Sequence, residues 1–452
     1  MIGGSPPSLN AHDLMHPARA GRMRPTFGRA CIVGLCLIFL TYVIIDLHRI
    51  NKNHFGDFRH FYYAARAILD DADLYTSGTH GYLYPPFVAF LYTPVARLPY
   101  AWAARVMLVV NAAMGLGAAL LIAGEFAERF DVADPGQITY FAALAGVLLD
   151  LDKVRGGLQM FQTNALMLLM FALSVRWLDH RAWLAGGPLG VIMNIKYLSL
   201  PLLPWLIIRR RYRTAAGMVA GTVIFAMLPA LISGWHQNLH NLGVAYGGLL
   251  HMVGIGGIAE QANVDPITAW FSISLTSAMA RLTIFDPTMT KAVVYIAIVA
   301  LIVMAVIVLI YRRDNLPLLQ WPPLSVQRTA QPWRALIGIE FTSIVIATLC
   351  FSPQTNMRHL FLCLLLTIPA VLLIASPHGG QSRASLAIAM IFMLLGFILP
   401  PGDQVHTGRR WLVLWIGVGG PCWCLLVALL AFVSAGAYVN GGRPARRNTL
   451  YY

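Results

Sequence analysis

Charge is what this 452-residue sequence has least of. Asp, Glu, Lys and Arg make up 12% of it, against roughly 25% in a soluble globular chain, which excludes a soluble enzyme and a disordered protein. Lysine is scarcer still. Lys52, Lys153, Lys196 and Lys291 are the only four, so arginine carries the excess of 33 basic over 19 acidic residues. The arginines are scattered between apolar runs, so the net charge of +14 reads as cytoplasmic flanks and contact with membrane lipids, with no nucleic acid as a partner. Cysteine is sparse too. Cys31, Cys36, Cys350, Cys363, Cys422 and Cys424 lie in or beside apolar runs, with neither a disulfide framework nor zinc-ligand spacing. There is no Walker loop and no HExxH, which argues against a nucleotide-driven pump. No metal site and no cofactor are expected.

What is abundant is apolar: 58% of the residues, with a mean hydropathy of +0.65. At roughly 20 residues per span plus loops, the length leaves room for about ten to thirteen crossings. Residues 1–28 are polar and basic and read as a mobile cytoplasmic tail, 29–438 as one integral membrane domain, and 439–452 as a second cytoplasmic tail. The first apolar run, Cys31 to Leu47, lacks a small-residue cleavage site and reads as a signal anchor. Further spans are expected near 101–126, 137–151, 163–178, 213–233, 290–311, 334–350, 357–375, 384–400 and 411–436. The short, proline-broken stretch 84–98 suits a helix in the membrane interface.

Charge sets the topology. The apolar stretch 182–208 is flanked by His180 and Arg181 before it and by Arg209, Arg210, Arg211 and Arg213 after it. Both flanks are cytoplasmic by the positive-inside rule, so the stretch crosses twice, as two short helices meeting near Asn194-Ile195-Lys196 on the far side. Run along the chain, this places 49–100, 152–162, 194–197, 234–289, 351–357 and 401–410 on the outer face. The 125–136 loop, which is acidic and falls inside, and Arg409 and Arg410, which fall outside, fit the scheme badly.

Five polar places stand out against this background. In residues 56–75, Phe58, Phe61, Tyr62, Ala65, Ile68 and Leu69 recur at helical spacing, giving an amphipathic helix on the outer surface. Asp57 begins it, either as an N-cap or as a carboxylate that an acceptor hydroxyl can reach, the position a general base needs. In the second, Gln354 precedes Arg358 and His359 at the start of a span. A cation there opposes the helix dipole, which a bound anion or snorkelling to headgroups explains. The third, 149–164, brings Asp150, Asp152, Lys153, Arg155, Gln162 and Asn164 to an outer loop. The fourth is Lys196 in the broken hairpin, a functional candidate by its depth or a snorkelling side chain. The fifth, Asp265-Pro266, reads as the cap and first turn of an outer helix running through Arg281.

The order of these pieces resembles glycosyltransferase family 87: Asp57 with Tyr62, Tyr63, Ala64 and Ala65, then Tyr84-Pro85-Pro86, Gln162 and Asn164, Lys196 before Arg209 to Arg213, and Ser352-Pro353 with His359. Phe161, where the family often has Gly, and Asn356-Met357, where it often has Trp and an acid, depart from the pattern. The resemblance implies an all-α polytopic membrane protein, a GT-C-type bundle of about 11–13 transmembrane helices with amphipathic helices on the extracytoplasmic face. It implies a bacterial plasma-membrane enzyme that moves a sugar, mannose by family resemblance, from a polyprenyl-phosphate donor to a lipid or glycan acceptor, inverting and without metal. Asp57 is then the base. Arg358, His359 and Lys196 take the donor phosphate, and Tyr62, Tyr84, Gln162, Asn164 and Gln354 contact substrate. The rival class is a transporter or flippase of a lipid-linked sugar, which should show repeated halves and midplane charges. Here the polar groups gather at one face.

Overall fold

The computed structural model describes residues 25–52, 56–76, 82–132, 135–159, 162–252, 264–283, 290–314, 316, 331–375, 382–398 and 410–441. The expected N-terminal tail to residue 24, the end of the C-terminal tail from 442 and Arg409 lie outside the described residues. No β-strand occurs among the described residues. The helices are, in order, α1 Pro25–Asn51, α2 Phe58–Leu69, α3 Pro86–Ala96, α4 Tyr100–Arg129, α5 Pro135–Leu149, α6 Leu151–Gln159, α7 Asn164–Trp177, α8 Ala182–Lys196, α9 Leu202–Ile208, α10 Tyr212–Met227, α11 Ala230–Ser233, α12 Trp235–Met252, α13 Leu275–Leu282, α14 Thr290–Arg313, α15 Gln331–Phe351, a 3-10 turn Met357–Cys363, α16 Leu364–Ala375, α17 Ser382–Ile398, α18 Arg410–Gly417 and α19 Gly420–Gly441.

The chain is an all-α polytopic membrane protein. Seven described helical segments are long and apolar enough to cross a bilayer alone, and eight if α6 and α7 form one bent span. The other expected crossings fall on shorter helices such as α5 and α17. One expected span, 411–436, is two helices, because Gly419 takes a left-handed conformation (φ 73°) between α18 and α19. The stretch expected to lie in the interface forms α3, which packs on five other helices. Phe87, Val88, Ala89 and Tyr92 of α3 are buried among α2, α4, α8, α10 and α12, while Leu91 is 38% exposed.

The core centres on α16, in which every residue from Leu364 to Leu373 is buried. It packs on α4, α5, α15, α17 and α19. By contrast α14 buries only Ala292 and Tyr311, as a helix facing lipid does. The tightest pairing is α8 against α10. A Cβ on Gly190 would lie 2.5 Å from the Gly221 carbonyl carbon, and one on Gly186 2.3 Å from the Met218 nitrogen, so both positions admit only glycine at this helix separation. That contact fixes the end of α8, and with it Lys196.

Candidate active site

Asp57 stands at the start of α2 but does not cap it: its backbone is helical (φ −80°, ψ −3°) and its carboxylate makes no cap hydrogen bond. The carboxylate turns away from its own helix. Its Oδ2 accepts from Gln162 Nε2 at 2.7 Å and from Arg358 Nη1 at 2.8 Å, while Oδ1 accepts no hydrogen bond among the described residues. The apolar face of α2 holds this geometry. Phe58 stacks on Tyr100 and Phe61 on Tyr92, with ring centroids 5.5 and 5.1 Å apart. Tyr62, expected at the substrate, belongs to this anchor instead. Its ring is buried and its hydroxyl donates to the Leu98 carbonyl at 2.9 Å.

Gln162 and Asn164 lead into α7. Asn164 Nδ2 donates to Gln162 Oε1 (3.0 Å) and to the Arg358 carbonyl (2.9 Å), so one amide orients both Asp57 partners. The cation at the helix start thus has its counter-charge: the Arg358 guanidinium faces Asp57, and its Nε and Nη2 have no partner among the described residues. Asn356 caps the 3-10 turn, its side chain accepting from the Arg358 N–H, while the Asn356 N–H donates to His359 Nδ1 at 3.3 Å. By this pattern the neutral ring carries its proton on Nε2, the atom 2.5 Å from Lys196 Nζ. Lys196 Nζ also lies 5.3 Å from the centre of the Tyr84 ring. Burial, and then the Asp57 charge, push the Tyr84 phenol above its ordinary range, so it is a hydrogen-bond donor and not a base.

Seven of the nine sequence candidates therefore meet in one cluster: Asp57, Arg358, His359, Lys196, Tyr84, Gln162 and Asn164. Tyr62 does not join it, and the buried Nε2 of Gln354 has no partner among the described residues. Of the 149–164 group, Asp150 is buried and accepts from Thr367 Oγ1 (2.9 Å), and Lys153 bonds Asp152 and the Phe397 carbonyl. The Thr367 and Phe397 bonds tie this segment to α16 and α17. Asp265-Pro266 does not open a helix. The helix α13 begins ten residues later, capped by Ser274, whose side chain accepts from the Ser277 N–H. The intervening backbone is committed elsewhere, since Ile273 N donates to the Thr355 carbonyl at 2.6 Å.

That bond belongs to a set the sequence reading did not find. Ser272 Oγ donates to the Thr355 carbonyl and accepts from the Thr355 N–H (3.2 Å each), Ser274 Oγ and Ser277 Oγ donate to the Pro353 carbonyl (3.5 and 2.8 Å), and Thr276 Oγ1 to the Phe351 carbonyl (2.7 Å). Four hydroxyls thus fasten the loop that delivers Arg358 and His359. The only trace in the sequence is their density, Ser272, Ser274, Thr276 and Ser277 at the mouth of a short helix.

Among proteins of known activity, the chain is similar to the alpha-(1->3)-arabinofuranosyltransferases of two strains of Mycobacterium tuberculosis, each 31% identical over 204 residues, 41% of this chain and 45% of the relative. The matched region spans less than half the length of these relatives. The family description Glycosyltransferase family 87 matches residues 82–326, just over half the chain. That interval holds Tyr84, Gln162, Asn164 and Lys196, the wall of the cluster against which Asp57 and Arg358 are set. With a multi-span helical fold, a polar cluster at one end and a family match over that length, the chain belongs to glycosyltransferase family 87.

Proposed function

We propose that this membrane glycosyltransferase moves a sugar from a polyprenyl-phosphate donor to a lipid or glycan acceptor on the extracytoplasmic face, by one inverting displacement with Asp57 as the base. The observation that carries the reading is the asymmetry of the Asp57 carboxylate: Oδ2 is held by Gln162 and Arg358, and Oδ1 is open. An acceptor hydroxyl on Oδ1 gives its proton to Asp57 as its oxygen bonds the anomeric carbon. The bond from that carbon to the phosphate oxygen breaks, and its electron pair leaves with the polyprenyl phosphate. The departing phosphate gains charge, so a cation beside it favours the transition state over the ground state. Arg358 touches Asp57 through one nitrogen and keeps its other donors for phosphate oxygens. Lys196 and His359 supply the second wall. The mechanism requires neither a covalent intermediate nor a metal ion, and activity is expected to survive chelation.

Family resemblance points to mannose. The relatives' arabinofuranosyl activity supports a second reading, a pentofuranose donor at the same base. The test is purified protein in nanodiscs with polyprenyl-phosphate mannose, arabinofuranose and glucose in turn, reading polyprenyl phosphate release. Acceptor-dependent release from one donor is expected. Movement of intact donor across the bilayer with no bond cleavage would establish a transporter instead.

A further inference from the structure

A charged cavity of about 300 Å³ lies at the end of the bundle away from the Asp57 cluster, lined by Glu125, Glu128, Arg176, Trp177, His180, Arg181 and Arg334. The helix α7 separates the two places. Asn164, at its start, is in the Asp57 cluster, and Trp177, at its end, lines the cavity, about 20 Å further along at 1.5 Å per residue.

The charges around this cavity do not cancel. Glu125, Glu128 and Asp179 are matched by Arg129, Arg211 and Arg334, which pair with them at 2.8 to 3.5 Å. Arg176 and Arg181 are left over. Both side chains are exposed and have no partner among the described residues. They flank the turn between α7 and α8 with His180 beside them. Directly after Arg181, Trp183 and Leu184 are 56% and 54% exposed, a surface that faces lipid tails, and Trp177 sets an indole at the cavity wall. The surplus guanidinium groups therefore sit where an apolar belt meets water, the level at which headgroup phosphates lie. Guanidinium forks suit phosphate oxygens.

We propose that this cavity is a phosphate-binding site for an anionic ligand, with Arg176 and Arg181 as its binding residues, on the membrane face opposite the Asp57 cluster. An anionic lipid headgroup and a soluble phosphate ester share this chemistry.

The test is native mass spectrometry of delipidated protein titrated with phosphatidylglycerol or phosphatidylcholine. Variants are Arg176→Gln, Arg181→Gln, both together, and Arg213→Gln as an exposed arginine outside the cavity. Phosphatidylglycerol retention is expected to fall about fivefold per cavity arginine and about thirtyfold for the pair, and less than twofold for Arg213→Gln. Phosphatidylcholine should bind weakly and equally throughout. If excess sn-glycerol 3-phosphate leaves the lipid bound, the site takes headgroups; if it displaces the lipid, the site accepts soluble phosphate esters as well. Retention in the double variant equal to that of wild type or of Arg213→Gln would overturn the proposal.

Discussion

The two ends of the bundle each hold buried or half-buried arginines against carboxylates, and they handle them in opposite ways. At the α4 C-terminal end the Arg129 side chain is 0% exposed and every nitrogen is used. It reaches Glu125 (2.9 Å), the carbonyls of Arg334 (2.7 Å) and Val175 (2.8 Å), and Asp179 (2.9 Å). Nearby, Glu340 accepts from Arg209, Trp205 and Tyr311. At the other end Arg358 and Asp57 are 38% and 32% exposed and share a single ion pair. A charge built into the fold is over-determined, because one left unmatched in a low-dielectric interior is costly. A charge kept for a ligand retains unused donors and acceptors.

Breaking the over-determined end should have the largest effect. Arg129→Met removes the nearest partner of Glu125 and one of the three of Asp179 and frees two buried carbonyls, and a loss of about 3–5 kcal/mol is expected in denaturant unfolding in detergent. Arg358→Ala, at an exposed pair, should cost about 1 kcal/mol or less. Comparable losses would erase the contrast. Acid sharpens it. Burial alone would raise the Asp179 carboxyl, but Arg129, Arg211 and Arg334 hold it below its ordinary range. A depressed carboxyl contributes stability above its unfolded pKa, near 3.9, that is lost as pH falls through the folded value. Hydrogen exchange should therefore show the α7–α8 turn losing protection in acid before α16 does.

At the open end the readout is kinetic. Arg358→Ala and His359→Ala should each lower turnover by about 10- to 100-fold while changing acceptor affinity little, and Arg358→Lys should restore only part, since a point charge replaces a fork. Unchanged turnover in both alanine variants would move the phosphate pocket elsewhere. A smaller effect is expected from Gly190→Ala, whose added carbon meets the α10 backbone at Gly221. It should cost about 1–3 kcal/mol and lower turnover by moving Lys196, while Gly187→Ala, with open space at its Cβ, should do neither. The smallest is Ser277→Ala, about 1 kcal/mol for one buried hydrogen bond. If the hydroxyl set positions Arg358, donor KM should rise as well; a change in melting temperature alone would make Ser277 merely structural.

The open end was also the legible one. In a chain this apolar, Asp57, Gln162, Lys196 and Arg358 are conspicuous by residue type, and loop parity assigns them to one face. The closed end was not legible. Arg129 and the Arg334 carbonyl are 205 residues apart, and the acidic 125–136 loop looked like a misfit. In the structure Glu125 and Glu128 pair with Arg334 at the start of α15, and Glu125 also with Arg129 of its own helix, so the misfit is one half of an ion network. Arg209 and Arg211 likewise read as topology flanks, yet both are held in ion pairs. The serine clasp was hidden for the same reason: Ser272 and Thr355 are 83 residues apart, and hydroxyls leave no periodicity. Tyr62 and Tyr84 are alike in sequence, and only packing divides an anchor from a site wall.

The central claim is that Asp57 is reserved for chemistry and not for the helix it begins. Asp57→Asn keeps the shape and can still hydrogen-bond but cannot take a proton in the same way. The decisive measurement is transfer turnover of Asp57→Asn alongside its melting curve in the same detergent. The account predicts turnover reduced by about 100-fold or more with the melting temperature essentially that of the parent. Near-normal turnover with a melting temperature lowered by the equivalent of about 1 kcal/mol would contradict it and return Asp57 to the role of a cap.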